Sequence, residues 1–132
     1  MLDYPQVALA FMNRDHAEFV ELLQRITAAL TTREQPAHID ALLDELLAHT
    51  RAHFAEEERR MQAVQFPPYP MHQGEHQRVL EDIEAHIGVW KTGRDAAALH
   101  DWLAHAVSDW FTTHVASMDF VTAAYIDARG EK

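Results

Sequence analysis

Cysteine is absent from this 132-residue chain. That removes disulfides, zinc–thiolate sites, iron–sulfur clusters and thiol catalysis at once. Glycine and proline are scarce, at four and five residues. Ala, Leu and Glu are common, and this balance favours helix over sheet. Basic residues are also few: 11 Lys and Arg stand against 21 Asp and Glu, for a formal net charge of −10. Phosphate binding needs clustered cations, so neither nucleic acid nor an anionic membrane is an expected partner. No apolar run approaches the roughly 18 residues of a membrane span. The N-terminal MLDYPQVALAFM has no basic n-region and carries Asp3 and Pro5, unlike a secretion signal. The expectation is a cytoplasmic, monomeric protein of one domain, residues 1–132, long enough to bury a real core.

Histidine is what the chain has in excess, with ten residues. Breakers at TTREQP (31–36), QFPPYP (65–70) and TGRD (92–95) divide the chain into four parts. Gly93 reads as a helix end and Asp95 as an N-cap. Each part repeats apolar residues in steps of three and four. The stripes run Leu9, Met12, His16, Phe19, Leu23, Ile26, Leu30; then Ile39, Leu43, Leu46, Thr50, His53, Glu57, Met61. The third runs His72, His76, Val79, Ile83, Ile87, Trp90, and the fourth Leu103, Val107, Trp110, His114, Val121. The predicted fold is all-α: an up-down-up-down four-helix bundle with a short N-terminal arm, and helices near 12–30, 37–64, 70–91 and 95–128. The first helix could start near Pro5 or be capped by Asn13.

The stripes are not wholly apolar. His16, His53, Glu57, His72, His76 and His114 stand where core residues belong. One such residue reads as a satisfied core histidine. Six on one inner face must satisfy one another or a metal ion.

The stretch HTRAHFAEEERRM (49–61) shows how the sorting works. At about 100° per residue, Glu57 falls near the centre of the second stripe and His53 roughly 40° to one side. His49 lies roughly 80° off, and Glu56 and Glu58 roughly 100° off on opposite sides. The inward pair is therefore His53 and Glu57. His49, Glu56, Glu58, Arg59 and Arg60 read as solvated boundary, so the tempting pair of His49 with His53 is rejected. HQGEH places His72 and His76 one turn apart and facing the core, a spacing that suits two ligands of one metal. In HVASMD a five-residue step turns about 140°, which leaves Asp119 off the stripe of His114. Periodicity alone makes Asp119 a solvated residue. His38, His86, His100 and His105 read as surface.

Imidazole and carboxylate without thiolate suit iron, zinc, manganese or copper. Five histidines with one or two carboxylates exceed one four-coordinate zinc and suit two ions bridged by carboxylates. No histidine follows a glutamate by three residues, which disfavours the ferritin-like dinuclear sites, and no His-Glu-x-x-His occurs.

With these residues in order, the chain resembles the hemerythrins, most closely the single-domain bacterial members. The pattern spans nearly the whole chain: a lone His16 in NRDHAEF, His53 and Glu57 in HFAEEE, His72 and His76 in HQGEH, His114 and Asp119 in HVASMD. The resemblance implies two iron ions with a bridging oxo or hydroxo group. It assigns His72, His76 and His114 to one iron and His16 and His53 to the other, with Glu57 and Asp119 as bridges. Asp119 enters the set on the resemblance alone. Dioxygen would be the ligand, at the iron with fewer histidines. Phe111 and Val115 would line its pocket, and Trp110 would pack near His114. The implied function is reversible oxygen binding for storage, delivery or sensing, without net catalysis. The alternative is an enzyme on the same site that handles peroxide or nitric oxide or oxidises iron. A purely structural bundle is disfavoured, because so many uncompensated polar groups would weaken its core. The segment before the first helix does not show the aromatic-rich arm of many bacterial members. No attached signalling or enzymatic module is expected.

Overall fold

A computed structural model describes residues 2–130. Among them the chain forms four helical rods and no strand. Helix α1 is Ala10–Thr31, α2 is Pro36–Ala63 and α3 is Tyr69–Gly93. Helix α4 runs over residues 96–128 as a continuous rod whose winding changes along its length. The links 32–35, 64–68 and 94–95 are short, so successive rods lie antiparallel. The architecture is an all-α four-helix bundle.

Local chemistry sets the boundaries. Pro36 occupies the first turn of α2, where its missing N–H costs nothing. The Asp95 carboxylate accepts from the Ala98 N–H at 3.1 Å, the cap read from TGRD. Helices α1 and α2 both stop in Schellman turns. Glu34 N–H reaches Ala29 O at 3.0 Å and Phe66 N–H reaches Met61 O at 2.9 Å, around left-handed Arg33 and Gln65. Helix α1 begins between the two starts considered. Asn13 does not cap it. Its side chain instead clasps Val7, accepting from the Val7 N–H at 2.8 Å and donating to Val7 O at 2.9 Å. That clasp holds the arm against the bundle and buries Val7 and Leu9.

The bundle has a dry half and a polar half. Leu23, Ile26, Leu43, Leu46, Ile83, Ile87, Leu99 and Leu103 fill the dry half, each at most 6 % exposed. Burial of side chains of this size stabilises by about 1.5–3 kcal/mol apiece. The other half holds the buried histidines and carboxylates, so the dry half supports a site that contributes little hydrophobic stabilisation of its own.

Two segments of α4, Trp102–Val107 and Val115–Asp119, are wound as π-helix. In the first, the Ser108 hydroxyl donates to Leu103 O, five residues back, at 2.8 Å. Each π-turn needs an extra residue and advances the register of everything after it. This corrects one position of the fourth stripe. Val121, expected inside, is 58 % exposed, while Thr122, Ala123 and Ile126 are buried.

Asp40 ties α2 to the end of α3. It accepts from the Trp90 indole N–H at 2.8 Å and from the Arg94 guanidinium. The Arg94 hydrogen bond holds the Asp40 carboxyl below its ordinary 3.8. Asp40→Ala leaves the buried Trp90 N–H unpaired and should cost about 1–2 kcal/mol at pH 7 in denaturant unfolding. A carboxyl with a depressed folded pKa stabilises above its unfolded value and loses that contribution as pH falls through the folded one. The gap between wild type and Asp40→Ala should therefore narrow below about pH 4.

Candidate metal centre

All seven ligand candidates lie in the polar half, and each is at most 8 % exposed. Helix α1 contributes His16, α2 contributes His53 and Glu57, α3 contributes His72 and His76, and α4 contributes His114 and Asp119. The second π-turn places the last pair. With hydrogen bonds reaching five residues along the chain, a five-residue step comes close to one full turn. Asp119 therefore faces the same way as His114, with its Oδ1 3.1 Å from His114 Nε2. The 140° that made Asp119 look solvated belongs to an α-helix, and this segment is not one.

Both carboxylates are split between two groups of imidazoles. Glu57 Oε1 lies 3.1 Å from His76 Nε2 and 3.6 Å from His72 Nε2, while its Oε2 lies 3.1 Å from His53 Nε2. Asp119 Oδ1 lies 3.3 Å from His72 Nε2 and 3.1 Å from His114 Nε2, while its Oδ2 lies 2.9 Å from His16 Nε2. Two clusters result, His72–His76–His114–Asp119 and His16–His53–Glu57–Asp119, and within each the ligand atoms lie within 4.8 Å of one another.

Most of these atoms approach without hydrogen-bond geometry. Nε2 of His53, His72, His76 and His114, both Glu57 oxygens and Asp119 Oδ1 are buried and have no hydrogen-bond partner. Buried polar atoms are rarely left so. Here they converge on two shared points, which is the arrangement that two cations would satisfy. The donor set contains only imidazole and carboxylate, as suits iron, zinc or manganese.

Without metal, protons keep the charges in balance. Burial disfavours the His53 cation, but Glu57 and Asp15 overcome that and push it up to about 10. Burial likewise opposes charge on His114, and Asp119 raises it. Burial and Asp119 oppose ionisation of Glu57, yet His53 and His76 hold it below the usual range. Burial opposes ionisation of Asp119 too, and the nearby imidazoles of His114, His16 and His72 hold it well below the usual range.

Around the donors lies an outer shell that periodicity does not reveal. His53 Nδ1 pairs with Asp15 Oδ2 at 2.8 Å, His72 Nδ1 with Thr122 Oγ1 at 2.9 Å, and His76 Nδ1 with Glu58 Oε2 at 2.9 Å. Such partners fix the tautomer and aim Nε2 at the metal. Glu58 was read as solvated because its backbone lies far off the stripe, but its side chain reaches across to α3. Asp15 stands beside His16 in sequence and serves His53 of another helix. Neither residue shows a signal in the pattern.

Rings wedge the imidazoles. Phe54 stacks on His76 at 3.7 Å and 4°, and Trp110 stacks on His114 at 4.8 Å and 23°. The Trp110 N–H donates to Glu75, which Arg78 holds in turn. Phe111 meets His16 edge-on at 5.7 Å, and Tyr4 of the arm meets Phe111 at 5.0 Å. The arm thus does contribute an aromatic residue to the site, although it is not aromatic-rich.

A cavity of about 20 Å³ is lined by His16, His53 and Asp119, with His114 alone from the other imidazole group, and is walled further by Phe19, Thr50, Phe54, Trp110, Phe111, Asp15 and His49. That is room for about one water-sized molecule. Of the two expected pocket residues, Phe111 lines this cavity. Val115 is buried at 1 % exposure but is not part of the wall. His49, read as boundary, stands at the edge of the cavity without joining either donor cluster.

A four-helix bundle that gathers such a donor set from every rod is a metal-binding bundle. The hemerythrin HHE cation binding domain matches residues 7–126, and the chain belongs to that family. It is similar to a bacteriohemerythrin of Ralstonia nicotianae, 34% identical over 122 residues, covering 92% of this chain and 83% of the relative. A bacteriohemerythrin of Aquifex aeolicus is 30% identical over 118 residues, covering 89% of each chain.

The outer shell generates a test. Glu58→Ala and Thr122→Val should each weaken metal retention about tenfold in competition with a chelator. Glu56→Ala should not, because among the described residues Glu56 pairs with Arg59 and Arg60 on its own helix and with no donor histidine.

Proposed function

We propose that the chain holds two iron ions and binds dioxygen reversibly on the side of His16 and His53. The observation that carries this reading is the division of Glu57 and Asp119, each giving one oxygen to each imidazole group. His72, His76 and His114 would hold one iron and His16 and His53 the other. Three imidazoles against two leave the second ion less crowded, and the small cavity lies on that side. When bound, a ferrous pair supplies reversible two-electron chemistry towards dioxygen. Family membership favours binding over the peroxide, nitric oxide or ferroxidase alternative.

The protein's own groups then do three things. The two carboxylates offset part of the metal charge in a buried site. Asp15, Thr122 and Glu58 fix His53, His72 and His76 so that their donor atoms stay aimed. Phe19, Phe54, Trp110 and Phe111 form the apolar part of the cavity wall, opposite the polar Asp15, His49 and Thr50, and leave room for a small ligand. Phe111 is the wall residue we assign to the ligand pocket. Among the described residues no helix is long and apolar enough to cross a membrane. A cytoplasmic monomer is part of the same proposal, supported by the net charge of −10, which opposes self-association.

The test is to purify the protein, count its metal and record visible spectra while oxygen is added and removed. Two irons per chain and a charge-transfer band that appears with oxygen and fades on its removal are expected. Zinc, or a single metal per chain, would overturn the assignment. His114→Ala should lose iron, whereas His49→Ala should keep both ions.

A further inference from the structure

One cluster of metal-ligating side chains lies outside the dinuclear donor set. Asp15, Glu18 and His49 each place one ligand atom within 4.8 Å of the others. His49 Nε2 lies 3.0 Å from Glu18 Oε1, and its Nδ1 is buried with no partner. Asp15 gives Oδ2 to His53, and its Oδ1 faces only Arg14, at 3.3 Å. The Arg14 side chain is 65 % exposed.

The position of this trio is what gives it meaning. Asp15 and His49 line the same cavity as His16 and His53. Side-chain exposure falls in steps along that line: 50 % at Glu18, 21 % at His49, 13 % at Asp15, 9 % at His53 and 3 % at His16 and Asp119. His16, a lining residue of the same cavity, carries a buried Nδ1 without a hydrogen-bond partner. A second cleft that reaches a donor histidine backs onto His72 and is walled by Phe66, Pro68, Met71, Met118 and Val121 with the neutral Ser117 and Thr122. It offers a hydrated cation no charge.

We infer that Asp15, Glu18 and His49 form a receiving site for a hydrated divalent cation, from which metal passes to His16 and His53. The inference rests on the dinuclear reading of the inner donors. Two carboxylates and one imidazole, open to solvent at Glu18, are too few to complete a coordination shell, so the ion keeps water and moves on. The carboxylates draw the cation from solution and lower the cost of shedding its hydration in stages. Asp15 then touches both sites, since it also holds His53. No bond is made or broken except metal–ligand bonds, and the ion's charge does not change.

The probe is Co²⁺, mixed anaerobically with metal-free protein and followed by its visible ligand-field bands in a stopped flow. Metal is counted at the end point. Glu18→Gln and His49→Gln should slow uptake about tenfold while the end point stays at the wild-type value. Glu81→Gln removes the same charge from an exposed position on α3 and should leave the rate unchanged. Equal rates in all four proteins would overturn the inference, as would equal slowing by Glu81→Gln. A wild-type end point below two ions per chain would instead refute the dinuclear reading, so the two failures are distinguishable.

Discussion

The structure turns on two buried carboxylates that each face two ways. Glu57 is fully buried and Asp119 nearly so, and burial alone would push both towards the neutral form. They stay ionised because five imidazoles surround them. Remove the positive partners, whether protons or metal ions, and the bundle holds two uncompensated charges in its core. The rest of the fold can be understood as what positions and tolerates this pair. The dry half of the bundle supplies apolar burial, the aromatic wedges fix ring planes, and the outer hydrogen bonds fix tautomers.

The departures from regular helix serve the same end. An unbroken α-helix cannot put His114 and Asp119 on one face, five residues apart. The π-turn at Val115–Asp119 does so by taking one more residue per turn. Its consequence is felt beyond the site, since Thr122 then faces inward to hold His72 while Val121 turns to solvent. One local change of winding thus turns a carboxylate and the hydroxyl that holds His72 inward together.

How much of this was legible follows from which physics sets each feature. Helical periodicity reports backbone direction, so it found the bundle and the inward His16, His53, Glu57, His72, His76 and His114. It failed at Asp119 and Val121 because it assumes one angle per residue throughout. The family resemblance placed Asp119 where the wheel could not. Periodicity also missed Asp15 and Glu58, whose backbones lie well off their stripes and whose side chains reach donors on neighbouring helices. His49 shows the reverse: its spacing from His53 imitates a ligand pair, yet its ring stays out of both donor clusters and stands at the mouth of the cavity.

The central claim is that Glu57 and Asp119 both bridge two metal ions. Its most direct measurement is the magnetic susceptibility of the oxidised, iron-loaded protein, joined to Mössbauer spectra of the same sample. Two irons per chain, strongly coupled, are expected, with the Mössbauer parameters of both irons altered in Asp119→Asn. Two uncoupled high-spin irons, or an Asp119→Asn protein in which one iron's parameters stay at the wild-type values, would refute bridging by Asp119.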